Sequence, residues 1–294
     1  MIRFFVCKDV MTLISNKLDE IQTTLSNMND ATIKPSFLYS YSMFESTLTE
    51  ILRYYLISFP EKLDNTLTVG KDELLSSSST HNIILSSVNK YIRKYSSKTL
   101  SEYISFFKDI LSIEFCVDEG MIKDISKIRN NITHDDAYSE LLFLHIDQHD
   151  LSISYLDIKD YIIYFCDLLN SIHFQIKDVY SKYTYEFLLR SVWNYTFSSP
   201  LLNFDNIWEF KQDGILQIKD IKQIKKKIYG ISGSEHLLLS IFLQQYNNTL
   251  NEALHSFHDI PALVSIDSNN KEKIINIINF FKYYPLFFNG TPIR

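Results

Sequence analysis

Arg129, Asn130 and His134 are the residues of this chain whose types and spacing could do chemistry together. Breaking a phosphodiester without a metal needs three groups. A base takes the proton from the attacking hydroxyl, an acid protonates the leaving oxygen, and a cation carries the charge that builds on the phosphate. Histidine suits either proton-transfer role, because its unperturbed pKa is about 6.5. Arginine suits the third, since its planar fork matches phosphate oxygens.

The element that must position them is a helix over 121–134, predicted from Ile122, Ile125, Ile128 and Ile132. On it Asn130 and His134 are one turn apart and share a face. Arg129 and His134 are separated by about 140°, but Arg129 flanks the shared face with a side chain long enough to reach over it. The isoleucines lie largely on the other side. Asn130 and His134 are therefore expected to point away from the core, toward a substrate or a second subunit.

Apolar spacing places the other helices. Val10, Leu13, Ile14, Leu18, Ile21 and Leu25 mark a first one over 9–27. Pro35 opens a second, where Phe37, Tyr41, Phe44, Leu48, Ile51 and Tyr55 step by fours and threes as a heptad-like seam. Pro60 ends it. A polar loop over 64–80 follows, then helices marked by Ile84–Tyr95 and by Leu100–Leu111, the latter capped by Ser101 or Thr99. After the motif the period changes. Leu142, Leu144 and Ile146, then Leu151, Ile153 and Tyr155, alternate as in a β-hairpin. A long helix from Ile158 to Val179 is expected to continue toward Tyr195. Residues 196–206 break the pattern, and the C-terminal region beyond holds a basic helix around 219–229, a helix near 234–247 capped by Ser232 or Ser234, and a last one near 271–283.

Ile128-Arg129-Asn130-Asn131-Ile132-Thr133-His134 resembles the signature of HEPN domains: arginine, a polar residue, three further residues, then histidine. The helix Tyr39–Leu52, with the aromatic–acid pair Phe44-Glu45, is similar to the second helix of the stand-alone HEPN proteins of toxin–antitoxin and phage-defence loci. The expected hairpin and long helix after the motif are similar too. The likeness covers roughly residues 8–180. It implies an all-α fold, an HEPN-like antiparallel helical bundle with one small β-hairpin and a helical C-terminal extension. Residues 1–195 would form the HEPN-like domain and 196–294 a C-terminal helical region without an assigned role.

The resemblance also implies a metal-independent RNA endonuclease acting as a toxin or antiviral-defence effector. It would be a homodimer, or paired with another HEPN chain, with two motifs meeting in one site. In that reading His134 is general base or acid, Arg129 binds the scissile phosphate, Asn130 orients either one, and Glu45 orients Arg129 or His134 from the neighbouring helix. An antitoxin or a defence complex is an expected partner besides RNA. The alternative is a catalytically silent HEPN binding or scaffold module, and beyond that an unrelated helical adaptor in which the motif is coincidence.

Other signals weigh less. Lys222, Lys225 and Lys226, within a run that begins at Lys219, interleave with isoleucines; this is either a solvated helix face or an RNA-backbone contact. Lys90, Arg93, Lys94 and Lys98 form a weaker patch. His145, Asp147 and His149 resemble a metal cluster but fall on the two ends of a turn without a third strong ligand, so no metal and no cofactor is expected. His255 and His258 read as a loop or helix end.

Bulk composition limits the field. The net charge of −6 argues against a protein that grips long duplex nucleic acid, though not against one holding a short RNA in a local basic groove. Six glycines and six prolines in 294 residues are few, as long helices require, and 46% hydrophobic residues supply a sizeable core. Three scattered cysteines predict no disulfide scaffold and fit a reducing cytoplasm. The opening residues are too short an apolar run for a signal peptide, and no membrane-length apolar run is present. Nucleotide-binding glycine loops, hydrolase elbows and zinc-protease motifs are absent.

Overall fold

Apolar residues recurring every three or four positions produce α1 (Cys7–Ser26), whose Val10, Ile14, Leu18 and Ile21 are buried. An Asx turn follows, in which the Asn29 side chain accepts from the backbone of Ala31 at 3.0 Å and Thr32 at 3.1 Å. It feeds α2 (Ile33–Ser58). The expected seam is the face that α2 buries: Phe37, Tyr41, Phe44, Leu48, Ile51 and Tyr55 all lie in the core. The structure is a computed structural model, and it describes residues 4–65, 67–72, 80–96, 98–141, 155–210, 216–219, 230–246 and 267–283. Over 134–141 it describes helical backbone without side chains.

The chain divides into two compact units. One comprises Cys7–Thr68 and Leu85–Ser181; the other comprises Met1–Val6, Val69–Ile84 and Lys182–Arg294. The first unit carries the motif. Its core forms where α1, α2 and the long α6 (Tyr155–Tyr180) pack on one another. Phe165 of α6 stacks on Phe44 at 5.1 Å between centroids. Between α2 and α6 in sequence come α3 (Thr80–Ser96), α4 (Leu100–Leu111) and the motif helix α5 (Glu119–Leu141). Thr99 caps α4 in a capping box, taking the Glu102 amide at 3.3 Å while the Glu102 carboxylate takes the Thr99 amide at 3.0 Å. Glu102 sits below the usual carboxylate range because those Thr99 donors favour its charged form. α4 packs against both α2 and α5, so it sets the spacing between them. Ser112, which caps its C-terminal end, adopts the left-handed conformation, φ 52°.

The second unit is built on aromatic rings. Trp193 of α7 (Tyr185–Thr196) is fully buried and donates its indole N–H to the Leu202 carbonyl at 2.6 Å. Phe197, Phe204, Trp208 and Phe242 surround it. A short α8 (Phe204–Ile207) leads into β1 (Trp208–Phe210), which pairs antiparallel with β2 (Leu216–Ile218) in the register Trp208↔Ile218, Glu209↔Gln217, Phe210↔Leu216. Ser232 caps α9 (Gly233–Tyr246), which packs on α10 (Ser268–Tyr283).

The chain is mostly helical, as its periodicity predicts, but three local readings change. The long helix does not run on toward Tyr195. It stops at Tyr180, and Thr184 starts α7 afresh by accepting the Phe187 amide at 3.3 Å. For that reason the helix read as the end of the first region, up to residue 195, shares its core with later residues: Leu189 and Trp193 lie in one cluster with Phe204, Leu238 and Phe281. Two short strands that the alternation did not predict lie at 208–210 and 216–218. The alternating segments at 142–155 fall outside the described residues except for Tyr155, which begins α6. In the observed pair at 208–218, Ile218 lies opposite Trp208, immediately before the expected basic helix around 219–229. Among the described residues no helix is long and apolar enough to cross a membrane.

Candidate active site

The first turn of α5 is fastened on two sides. The Asp118 carboxylate accepts the Met121 amide at 3.1 Å, and the Asp118 amide donates to the Tyr164 hydroxyl of α6 at 2.7 Å. From α4, the Ser101 hydroxyl donates to Glu119 at 2.7 Å. Ile122, Ile125 and Ile132 then hold the helix down through its apolar face. The remaining face carries Arg129, half-buried, and Asn130, exposed. The helical backbone continues through His134, which keeps Asn130 and His134 one turn apart on one face. The His134 side chain lies outside the described residues.

Arg129 has a defined seat. Its guanidinium carbon lies 5.7 Å from the centroid of the Tyr41 ring on α2, within cation–π range. One of its nitrogens donates to the Asn130 side-chain oxygen at 3.2 Å. Its carbonyl accepts the Thr133 hydroxyl at 2.7 Å. Tyr41 itself is fixed by the core, with Phe37 at 6.5 Å and Phe165 edge-on at 6.1 Å.

Glu45 lies one turn beyond Tyr41 on α2 and is half-buried. Burial pushes its carboxyl above the usual range, and the Arg129 charge pulls it partly back. The Tyr41 phenol is raised by burial and by the Glu45 charge, with Arg129 again opposing. Beyond Glu45, Thr49 hydrogen-bonds Tyr103 of α4 at 2.8 Å. Burial, above all, pushes the Tyr103 phenol up to about 12. The structure thus brings Arg129, Asn130 and Glu45 into one electrostatic neighbourhood and adds Tyr41. From the sequence Tyr41 read as a seam residue only. Its place four positions before Glu45 was the available signal, because that spacing sets an aromatic ring beside a carboxylate.

No protein-family model, curated protein or solved structure matches the chain.

The arrangement can hold an oxyanion. Arg129 presents a pre-oriented guanidinium, with Asn130 exposed beside it. Lys222, Lys225 and Lys226 lie outside the described residues, and so do His145, Asp147, His149, His255 and His258. Lys219, at the head of that basic stretch, is engaged locally: its ammonium donates to the Asp205 carbonyl at 2.6 Å. In the weaker patch, Lys94 pairs with Asp64 at 3.8 Å and Lys98 with Glu102 at 3.9 Å. Among the described residues no group of three His, Cys, Asp or Glu side chains is placed to hold a metal ion.

Proposed function

We propose that this protein is a metal-independent RNA endonuclease of HEPN type, working as a toxin or antiviral-defence effector in the cytoplasm. The observation that carries the reading is the seat of Arg129. An arginine on the same helix as His134 is held half-exposed beside Asn130, on a helix whose isoleucines are turned inward. A guanidinium kept ready at a surface suits a phosphate whose charge grows in the transition state, since no reorganisation is needed when the charge appears.

In this mechanism the ribose 2′-oxygen attacks the adjacent phosphorus as a base removes its proton. The bond from phosphorus to the 5′-oxygen breaks, and an acid returns a proton to that leaving oxygen. Arg129 stabilises the phosphate throughout. His134 is the base or the acid, and Asn130 positions the pair. One histidine per chain serves one proton transfer at a time, so a homodimer, or a pair with another HEPN chain, supplies both. The HEPN-like bundle is part of the proposal, as is RNA contact by Lys222, Lys225 and Lys226.

The test is cleavage of a single-stranded RNA in the presence of a chelator. The expected products carry a 2′,3′-cyclic phosphate and a free 5′-hydroxyl, and His134→Ala abolishes them. Magnesium dependence, 5′-phosphate ends or equal cleavage of DNA refutes the mechanism. A folded protein that binds RNA but never cuts it would make the chain a silent binding module.

A further inference from the structure

A guanidinium on a helix surface has several free rotors, and most exposed arginines are spread over many conformers. Arg129 is different because of what lies beneath it. The Tyr41 ring is buried, and Phe37 and Phe165 pack against it. Glu45, one turn along the same helix, makes the surroundings of that ring electronegative without a carboxylate–guanidinium pair at hydrogen-bond distance among the ion pairs described. The cation therefore rests on a ring face and not in a closed salt bridge. A closed bridge would fill the planar fork with two carboxylate oxygens and leave little for a substrate. A ring face binds the cation and leaves its hydrogen-bonding edge open, apart from the one donor taken by Asn130.

We infer that Tyr41 is a positioning residue, a fixed aromatic shelf that orients Arg129 toward a phosphate group while leaving its fork free. The inference rests on the ribonuclease reading for its catalytic consequence, but not for its geometry. The acting part is the ring and not the hydroxyl. Burial and the neighbouring Glu45 both keep the phenol in its neutral form, so Arg129 meets a ring and not a phenolate. Phenylalanine should then serve as well as tyrosine, and an aliphatic side chain of similar bulk should not.

The experiment compares Tyr41→Phe and Tyr41→Leu in the full chain by two measurements. One is the kcat and KM for RNA cleavage. The other needs no activity: the rate at which phenylglyoxal modifies Arg129, read by mass spectrometry of the α5 peptide. The Phe variant should match the unmodified protein in both. The Leu variant should lose about tenfold in kcat with little change in KM, and its Arg129 should react several times faster. Should the Leu variant fail to fold, Tyr41→Met is read in its place. Equal Arg129 reactivity in all variants overturns the shelf, as does a Phe variant as impaired as the Leu one. If the protein cuts no RNA yet the reactivities differ as stated, the ribonuclease reading fails and the shelf stands.

Discussion

Arg129→Ala separates chemistry from folding more sharply than any other single change. What Arg129 contributes to stability is small. Its cation–π contact with Tyr41 at 5.7 Å is half-exposed and contributes about 0.5–1 kcal/mol. The hydrogen bond to Asn130 is solvent-exposed, where water replaces it at little cost. Removing the cation also leaves Glu45 half-buried without its opposing charge, which raises that carboxyl further. The sum is about 1 kcal/mol, or about 2–4 °C in Tm for a chain of this size. If the chain is the ribonuclease proposed above, the catalytic loss should be much larger. A pre-oriented donor to a developing oxyanion contributes about 3–4 kcal/mol, so kcat should fall by about 10²–10³. Arg129→Lys should recover part of that, since it restores the charge but not the planar fork. Initial rates on an end-labelled RNA, with thermal unfolding followed by circular dichroism, give both numbers on one preparation. Unfolding of the alanine variant at 25 °C would show that Arg129 is a structural residue. Full activity with an intact fold would remove it from the mechanism altogether.

Three further outcomes are expected. Glu45 has a folded-state pKa above its unfolded value, so the stability tied to its proton is fully present below the unfolded pKa and is lost as pH rises through the folded one. Glu45→Gln should therefore be more stable than the natural protein at pH 7, with the advantage gone near pH 4; urea titrations at the two pH values check it, and an equal advantage at both would refute it. Ser112→Gly should add about 0.5–1 kcal/mol, because Ser112 holds φ 52° at the end of α4 and glycine adopts that conformation without a Cβ clash; a lowered denaturation midpoint would contradict the argument. Trp193→Phe removes the indole that bonds the Leu202 carbonyl and leaves space among four aromatic rings, so it should cost about 2–4 kcal/mol. A change below about 1 kcal/mol in chemical denaturation would mean that the second unit's core repacks freely.

The helices were legible because their buried positions repeat at helical spacing. Ile14, Phe44, Phe107 and Ile125 each stand in such a row and each is buried. The caps at Thr99 and Ser232 could be read too, since each precedes a glutamate by three positions. What escaped was short or two-valued. The break after Tyr180 carries neither proline nor glycine, and one threonine accepting one amide decides it. The strands are three residues each, too brief for alternation to register, although Asp213-Gly214 between them is a hairpin-turn dipeptide. At the site, the sequence singled out Arg129, Asn130, His134 and Glu45 as a group, and the His134 side chain lies outside the described residues. It could not show that Tyr41 has two roles, since a tyrosine on a seam looks the same whether its outer face is bare or holds a guanidinium.

Val6 lies in the core of the second unit with Trp193, Phe242 and Phe281, although nearly the whole first unit separates it from them along the chain. This fixes an order of events on the ribosome. Phe5 and Val6 precede the first unit in the chain, whereas the residues they pack with, Tyr183 for Phe5 and the ring cluster for Val6, follow it. The motif unit, complete at Ser181, can fold before the residues that receive Phe5 and Val6 have been made. A truncation after that point would give the unit that carries Arg129 and His134 with Phe5 and Val6 stripped of their partners, an apolar end on a newly finished domain. Synthesis of the second unit's core is what conceals it.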